Sequence, residues 1–79
     1  MKCHWEKIDR FRSSNEFKRF LVWIDEQEKN GFAERISVKK PYEGSLLFDE
    51  RWYKCKKCNT IWRVVAPDPP FEGVFELID

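Results

Sequence analysis

Cys55 and Cys58 are the residues whose type and spacing are best suited to chemistry. Only Lys56 and Lys57 separate them, so a tight turn can aim both sulfurs at one point. Two thiolates so placed form the knuckle of zinc ribbons, in which backbone N–H groups of the turn also face the sulfurs. Lys54, Lys56 and Lys57 offset the charge of such a site and favour the thiolate. Asn59 follows, where a residue tolerant of positive φ suits a tight turn. The pair supplies two ligands, and Cys3 and His4 are the only other soft donors. Cys3, His4, Cys55 and Cys58 are therefore the candidate ligands of a structural, tetrahedral zinc ion. Neighbouring side chains of a strand point to opposite faces, so Cys3 and His4 reach one ion together only on irregular chain. Otherwise a carboxylate, a water or a partner atom must complete the shell. The plainer alternative is reduced, unligated cysteines in a turn, with Cys3 buried as a small hydrophobe and His4 a surface or packing residue. A thioredoxin-like redox site fits less well, because such a site opens a helix and a strand-like run follows Cys58 here.

Other chemistry is thinly represented. One His and scattered Ser residues make no readable triad, and Gly31, Gly44 and Gly73 are isolated, so no phosphate loop is present. Asp25-Glu26 and Asp49-Glu50 are adjacent acids, whose side chains diverge too far for paired acid–base work. The chain is expected to bind rather than catalyse.

Charge is balanced overall, at +1, but unevenly placed. Residues 51–63 hold Arg51, Lys54, Lys56, Lys57 and Arg63 without an acid, whereas residues 64–79 hold Asp68, Glu72, Glu76 and Asp79 without a base. Either paired strands bring these charges together across a sheet, or two patches of opposite sign face solvent and one docks a partner. Arg51, Trp52, Tyr53, Lys54, Trp62 and Arg63 also interleave aromatics with bases, a mixture able to stack nucleobases. The plainer reading puts Trp52 and Trp62 in the core and the bases on the wet face.

These residues need a scaffold. Seventy-nine residues suffice for a single domain, taken as 1–79. So short a chain buries a modest core, which an aromatic content of 16% partly offsets. No apolar run is long enough for a membrane span and no leader-like h-region precedes the fold, so a cytoplasmic protein with reduced thiols is expected. Ser13 with Glu16 resembles a capping box. Phe17, Phe20, Leu21 and Ile24 then fall on one helical face, with Trp23 at its flank and Val22 away from it. Asp25 and Lys29 have helpful i,i+4 spacing, and Asn30-Gly31 supplies a left-handed exit. A helix over about 14–30 follows. Strand-like runs lie near Ile36–Val38, within 45–54, at 60–66 and at 71–78, with a weak one at 2–8. Pro67-Asp-Pro-Pro70 must be a connection. The expected fold is α+β: one helix on a mainly antiparallel sheet of four or five strands, with a CxxC hairpin turn.

The segment Tyr53-Lys-Cys55-x-x-Cys58-Asn59-x-x-Trp62-Arg-Val-Val-x-Pro67-Asp68-x-Pro70-Phe71-x-Gly73-x-Phe75 resembles a group of small bacterial immunity proteins of polymorphic-toxin and contact-dependent growth inhibition systems. The shared pattern is a Cys-x-x-Cys-Gly-x-x-Trp hairpin, a Pro-Asp turn and a Gly-x-aromatic strand; Asn59 stands here where Gly is usual. The resemblance implies a protein that binds and neutralises a cognate toxin, commonly a nuclease. A nuclease cleft that holds phosphates is often basic. On this reading the acidic run Asp68, Glu72, Glu76 and Asp79 is the first candidate docking surface, with Asp49 and Glu50 the second. The alternative is a zinc-ribbon-like module that binds nucleic acid.

Overall fold

The computed structural model describes residues 5–44, 49–68 and 70–78. Helix α1 spans Ser14–Lys29. Ser13, extended at φ −154°, caps it, its hydroxyl accepting from the Glu16 N–H at 3.1 Å. The Glu16 carboxylate reaches back one residue further than a capping box requires and accepts from the Arg12 N–H at 3.2 Å. At the other end Gly31, at φ +78°, lets the Phe32 N–H reach the Gln27 carbonyl at 2.9 Å and the Gly31 N–H the Glu28 carbonyl at 3.1 Å. That is the Schellman pattern, and it turns the chain directly into the sheet. Asp25 and Lys29 form no ion pair among the described residues.

The sheet is a four-stranded antiparallel meander: β1 (Ala33–Ile36), β2 (Glu50–Cys55), β3 (Ile61–Val65) and β4 (Val74–Leu77), in spatial order β1-β2-β3-β4. The expected α+β architecture is thus present with four strands. Residues 2–4 of the weak strand expected at 2–8 lie outside the described residues; among 5–8, Ile8 pairs with Phe75 alongside β4, exchanging hydrogen bonds of 2.8 and 2.9 Å. β1 begins earlier than its alternation indicates and ends before Val38, which is 36% exposed. A short 3-10 turn, Tyr42–Gly44, stands between β1 and β2. Residues 45–48, within another expected run, lie outside the described residues.

The pleat gives the sheet two unlike faces. Tyr53, Cys55, Trp62, Val64 and Phe75 share the face that packs on Phe20 and Ile24 of α1. Phe75, 1% exposed, is the hub of this core. Its ring lies 4.8 Å from that of Phe20, 4.9 Å from Trp62, 6.0 Å from Trp5 and 6.3 Å from Trp23. Each such pair adds about 0.5–1.5 kcal/mol beyond area burial, which matters in a domain whose whole stability is about 5–10 kcal/mol. Trp52 and Trp62 are both buried, as the plainer reading of the aromatics requires.

Gly73 enters β4 at φ +85°, and a Cβ there would meet Phe11 Cδ2 at 2.8 Å and the Val65 carbonyl oxygen at 3.0 Å. Gly73→Ala is therefore expected to cost about 2 kcal/mol or more. That corresponds to a thermal midpoint lower by roughly 10 °C in a domain of this size; an unchanged midpoint would contradict the packing described.

Candidate functional site

β2 ends at Cys55, and the chain returns as β3 at Ile61. Asn59 takes the left-handed conformation, φ +62°, and its N–H donates to the Cys55 carbonyl at 2.7 Å. The Cys55 N–H donates to the Thr60 carbonyl at 2.8 Å. The Thr60 hydroxyl sits 2.9 Å from Cys58 Sγ and accepts from Trp62 Nε1–H at 3.0 Å, which fastens the loop to the core. The thiol states differ from the expectation of uniformly reduced cysteines. Cys55, 1% exposed, is disulfide-bonded, while Cys58 is a half-buried thiol. A sulfur committed to a disulfide is no thiolate ligand, so zinc ligation at this hairpin requires Cys55 in its reduced form. Cys3 and His4 lie outside the described residues. Among the described residues no group of three or more His, Cys, Asp or Glu gathers in a metal-holding arrangement.

The carboxylates divide into two sets. Glu50 and Glu76 turn onto the face of the sheet opposite α1 and hold Arg63. Arg63 opposes Glu76 directly across β3 and β4, and Glu50 lies diagonally across β2 and β3. Arg63 Nη1–H donates to Glu76 Oε2 at 2.9 Å. Arg63 Nε lies 2.8 Å from Glu50 Oε2, an ionic contact without an aligned hydrogen bond. Glu50 also accepts from Trp52 Nε1–H at 2.8 Å and from the Tyr42 N–H at 2.7 Å. The guanidinium carbon stands 5.3 Å from the Tyr42 ring centre and 5.9 Å from that of Trp52. Side-chain exposures of 4% for Glu50, 16% for Arg63 and 26% for Glu76 make this an internal cluster rather than a docking surface. Of the acids expected to face a partner, Glu50 and Glu76 are therefore drawn inward, because strand alternation aims them at Arg63.

The outward set is Asp49, Asp68 and Glu72. All three are exposed. Their backbones lie toward one end of the sheet: the Ala66 N–H donates to the Asp49 carbonyl at 2.9 Å, and Asp68 and Phe71, the residue before Glu72, exchange bonds of 2.9 and 2.8 Å. Glu72 has one loose partner, Arg10 at 3.7 Å, with both side chains more than half exposed. Such a pair contributes less than about 1 kcal/mol. Asp79 lies outside the described residues.

The bases are sorted in the same way. Lys56 pairs with Glu34 at 3.8 Å and Lys57 stands over the Phe32 ring at 4.7 Å, so two of the hairpin lysines are engaged beside β1. The roles of Tyr42 and Trp52 were not read from sequence; the only signal for them was the conjunction of a β-strand acid two residues before a Trp. Comparison of the chain with protein-family models, with curated proteins and with solved structures finds no match.

Removing the Glu50 carboxylate would take away the acceptor of Trp52 Nε1–H at 2.8 Å and of the Tyr42 N–H at 2.7 Å, and the ionic partner of Arg63 Nε. Breaking a buried ion pair of this kind costs about 3–5 kcal/mol. Glu50→Ala should accordingly lose about 3 kcal/mol in urea unfolding, and a loss below about 0.5 kcal/mol would show that the cluster does not hold the sheet.

Proposed function

We propose that this chain is an immunity protein that binds a cognate toxin, of the nuclease class, and blocks its active site. The proposal rests on the motif from Tyr53 to Phe75 and on one structural observation, the gathering of Asp49, Asp68 and Glu72 as outward carboxylates at one end of a small sheet. An acidic edge is suited to a cleft built to hold phosphates, through steric block and charge complementarity. Long-range attraction between the two surfaces speeds encounter and weakens with salt. The same proposal places its action in the cytoplasm. No described helix is long and apolar enough to cross a membrane.

The toxin expected is the product of the gene immediately upstream. Co-expression of the two should give a complex that survives purification. Asp68→Lys with Glu72→Lys should weaken that complex at least about a hundredfold, on the scale of several kcal/mol for like charges set against each other. An affinity within twofold of the wild type would remove the acidic edge from the account, and no complex at all would remove the immunity reading.

The second reading, a zinc-ribbon-like module on nucleic acid, draws on the hairpin, where the Asn59 turn keeps Cys55 and Cys58 in one loop beside Lys56 and Lys57. It requires reduction of Cys55. Reduced protein that retains one equivalent of zinc by elemental analysis, and that binds RNA or DNA with a steep salt dependence, supports it. Metal-free, non-binding protein removes it.

A further inference from the structure

β1 and β2 pair as far as Ile36 and Trp52 and then part. A cleft of about 420 Å³ opens where they diverge, lined by Arg35, Ile36, Ser37, Val38, Glu50 and Arg51. Arg35 faces Tyr53 across the strands, so Arg51, two residues before Tyr53, is its diagonal neighbour on the same face. Residues in that relation stand about 7–8 Å apart at Cα, within a Debye length of each other. Neither arginine side chain makes a hydrogen bond or ion pair among the described residues.

Each arginine follows a glutamate in sequence, Glu34-Arg35 and Glu50-Arg51. Strand alternation aims both glutamate side chains at the opposite face, where Lys56 pairs with Glu34 and Arg63 with Glu50; Glu50 still lines the cleft, with its carboxylate already engaged. Asp49, two residues before Arg51, neither lines the cleft nor pairs with either arginine. Two arginines without a carboxylate partner thus line one cleft together with Ser37 and with Glu50, whose carboxylate is held by Arg63 and Trp52.

We infer that this cleft is a binding site for a phosphoryl group. A bound anion would give both guanidinium groups charge-assisted hydrogen bonds. The planar fork of each guanidinium matches phosphoryl oxygens, and the serine hydroxyl offers one more donor. A single group, rather than a polynucleotide backbone, is favoured because the cleft presents two bases and the chain as a whole carries only +1. The site stands independently of the toxin-binding proposal.

The test is a titration of the labelled full chain with inorganic phosphate at constant ionic strength, read by NMR at backbone amides and arginine Nε–H groups. Saturable shifts at Arg35, Ser37 and Arg51 are expected. Arg51→Gln should raise the dissociation constant at least about tenfold, while Lys54→Gln, on the same strand but outside the cleft, should change it less than about twofold, the loss of a charge-assisted contact being worth about 1.5–3 kcal/mol. Circular dichroism checks folding, and Arg35→Gln replaces Arg51→Gln if the latter unfolds. Shifts that rise without saturating, or an equal loss in Lys54→Gln, overturn the inference. So does a single-stranded oligonucleotide that binds more tightly per phosphate than inorganic phosphate and depends equally on Lys54.

Discussion

Arg63 is the constraint around which the charged half of this molecule is arranged. Its guanidinium lies on the sheet face opposite α1, against Glu50 of β2 and Glu76 of β4, with the Tyr42 turn and Trp52 beside it. A cluster of this kind contributes little over an apolar substitute of equal volume, yet losing one member leaves a charge stranded. Its larger effect is on register. A slip of one residue in β3 would send Arg63 into the aromatic core and Trp62 to the other face. The ion pairs therefore oppose the pairing errors to which a short meander is prone, while Phe75 and its ring partners lie at the centre of the buried core.

This arrangement decides which charges remain for other molecules. Acids at alternate positions of β1 and β2 go to one face and are consumed there by Lys56 and Arg63. What remains outward is the carboxylates of Asp49, Asp68 and Glu72 and, two residues along the chain from Asp49, the arginines lining the fork between β1 and β2. A chain of nearly zero net charge thereby presents an acidic edge and a basic cleft.

Much of the fold was legible because local chemistry agreed with the global structure. Ser13, the 3–4 spacing of Phe17, Phe20, Leu21 and Ile24, and Gly31 define α1 almost to the residue. Asn59 at positive φ and the burial of Trp52 and Trp62 also follow from residue type. The acids were less legible. A run of like charges reads as a surface patch, and only the register of β2, β3 and β4 reveals that Glu50 and Glu76 converge on Arg63. The alternation of Ile36 and Val38 pointed to a strand two residues beyond its end, because the fork opens at Ser37 and period-two patterning carries no information about where a partner strand departs. The disulfide at Cys55 was hidden by an odd cysteine count and by the expectation of a reducing compartment.

The central claim is that acids adjacent in sequence and alike in type divide into an internal set and an outward set. Parallel measurement of thermal unfolding and of binding to the upstream gene product, for Glu76→Lys and Glu72→Lys, tests it most directly. Glu76→Lys should lower the thermal midpoint by about 10 °C or more, as expected for a loss of about 2 kcal/mol in a domain of this size. Glu72→Lys should keep the midpoint within about 2 °C, since an exposed pair contributes little, and should lose binding. A destabilised Glu72→Lys beside a Glu76→Lys of native stability would contradict the account.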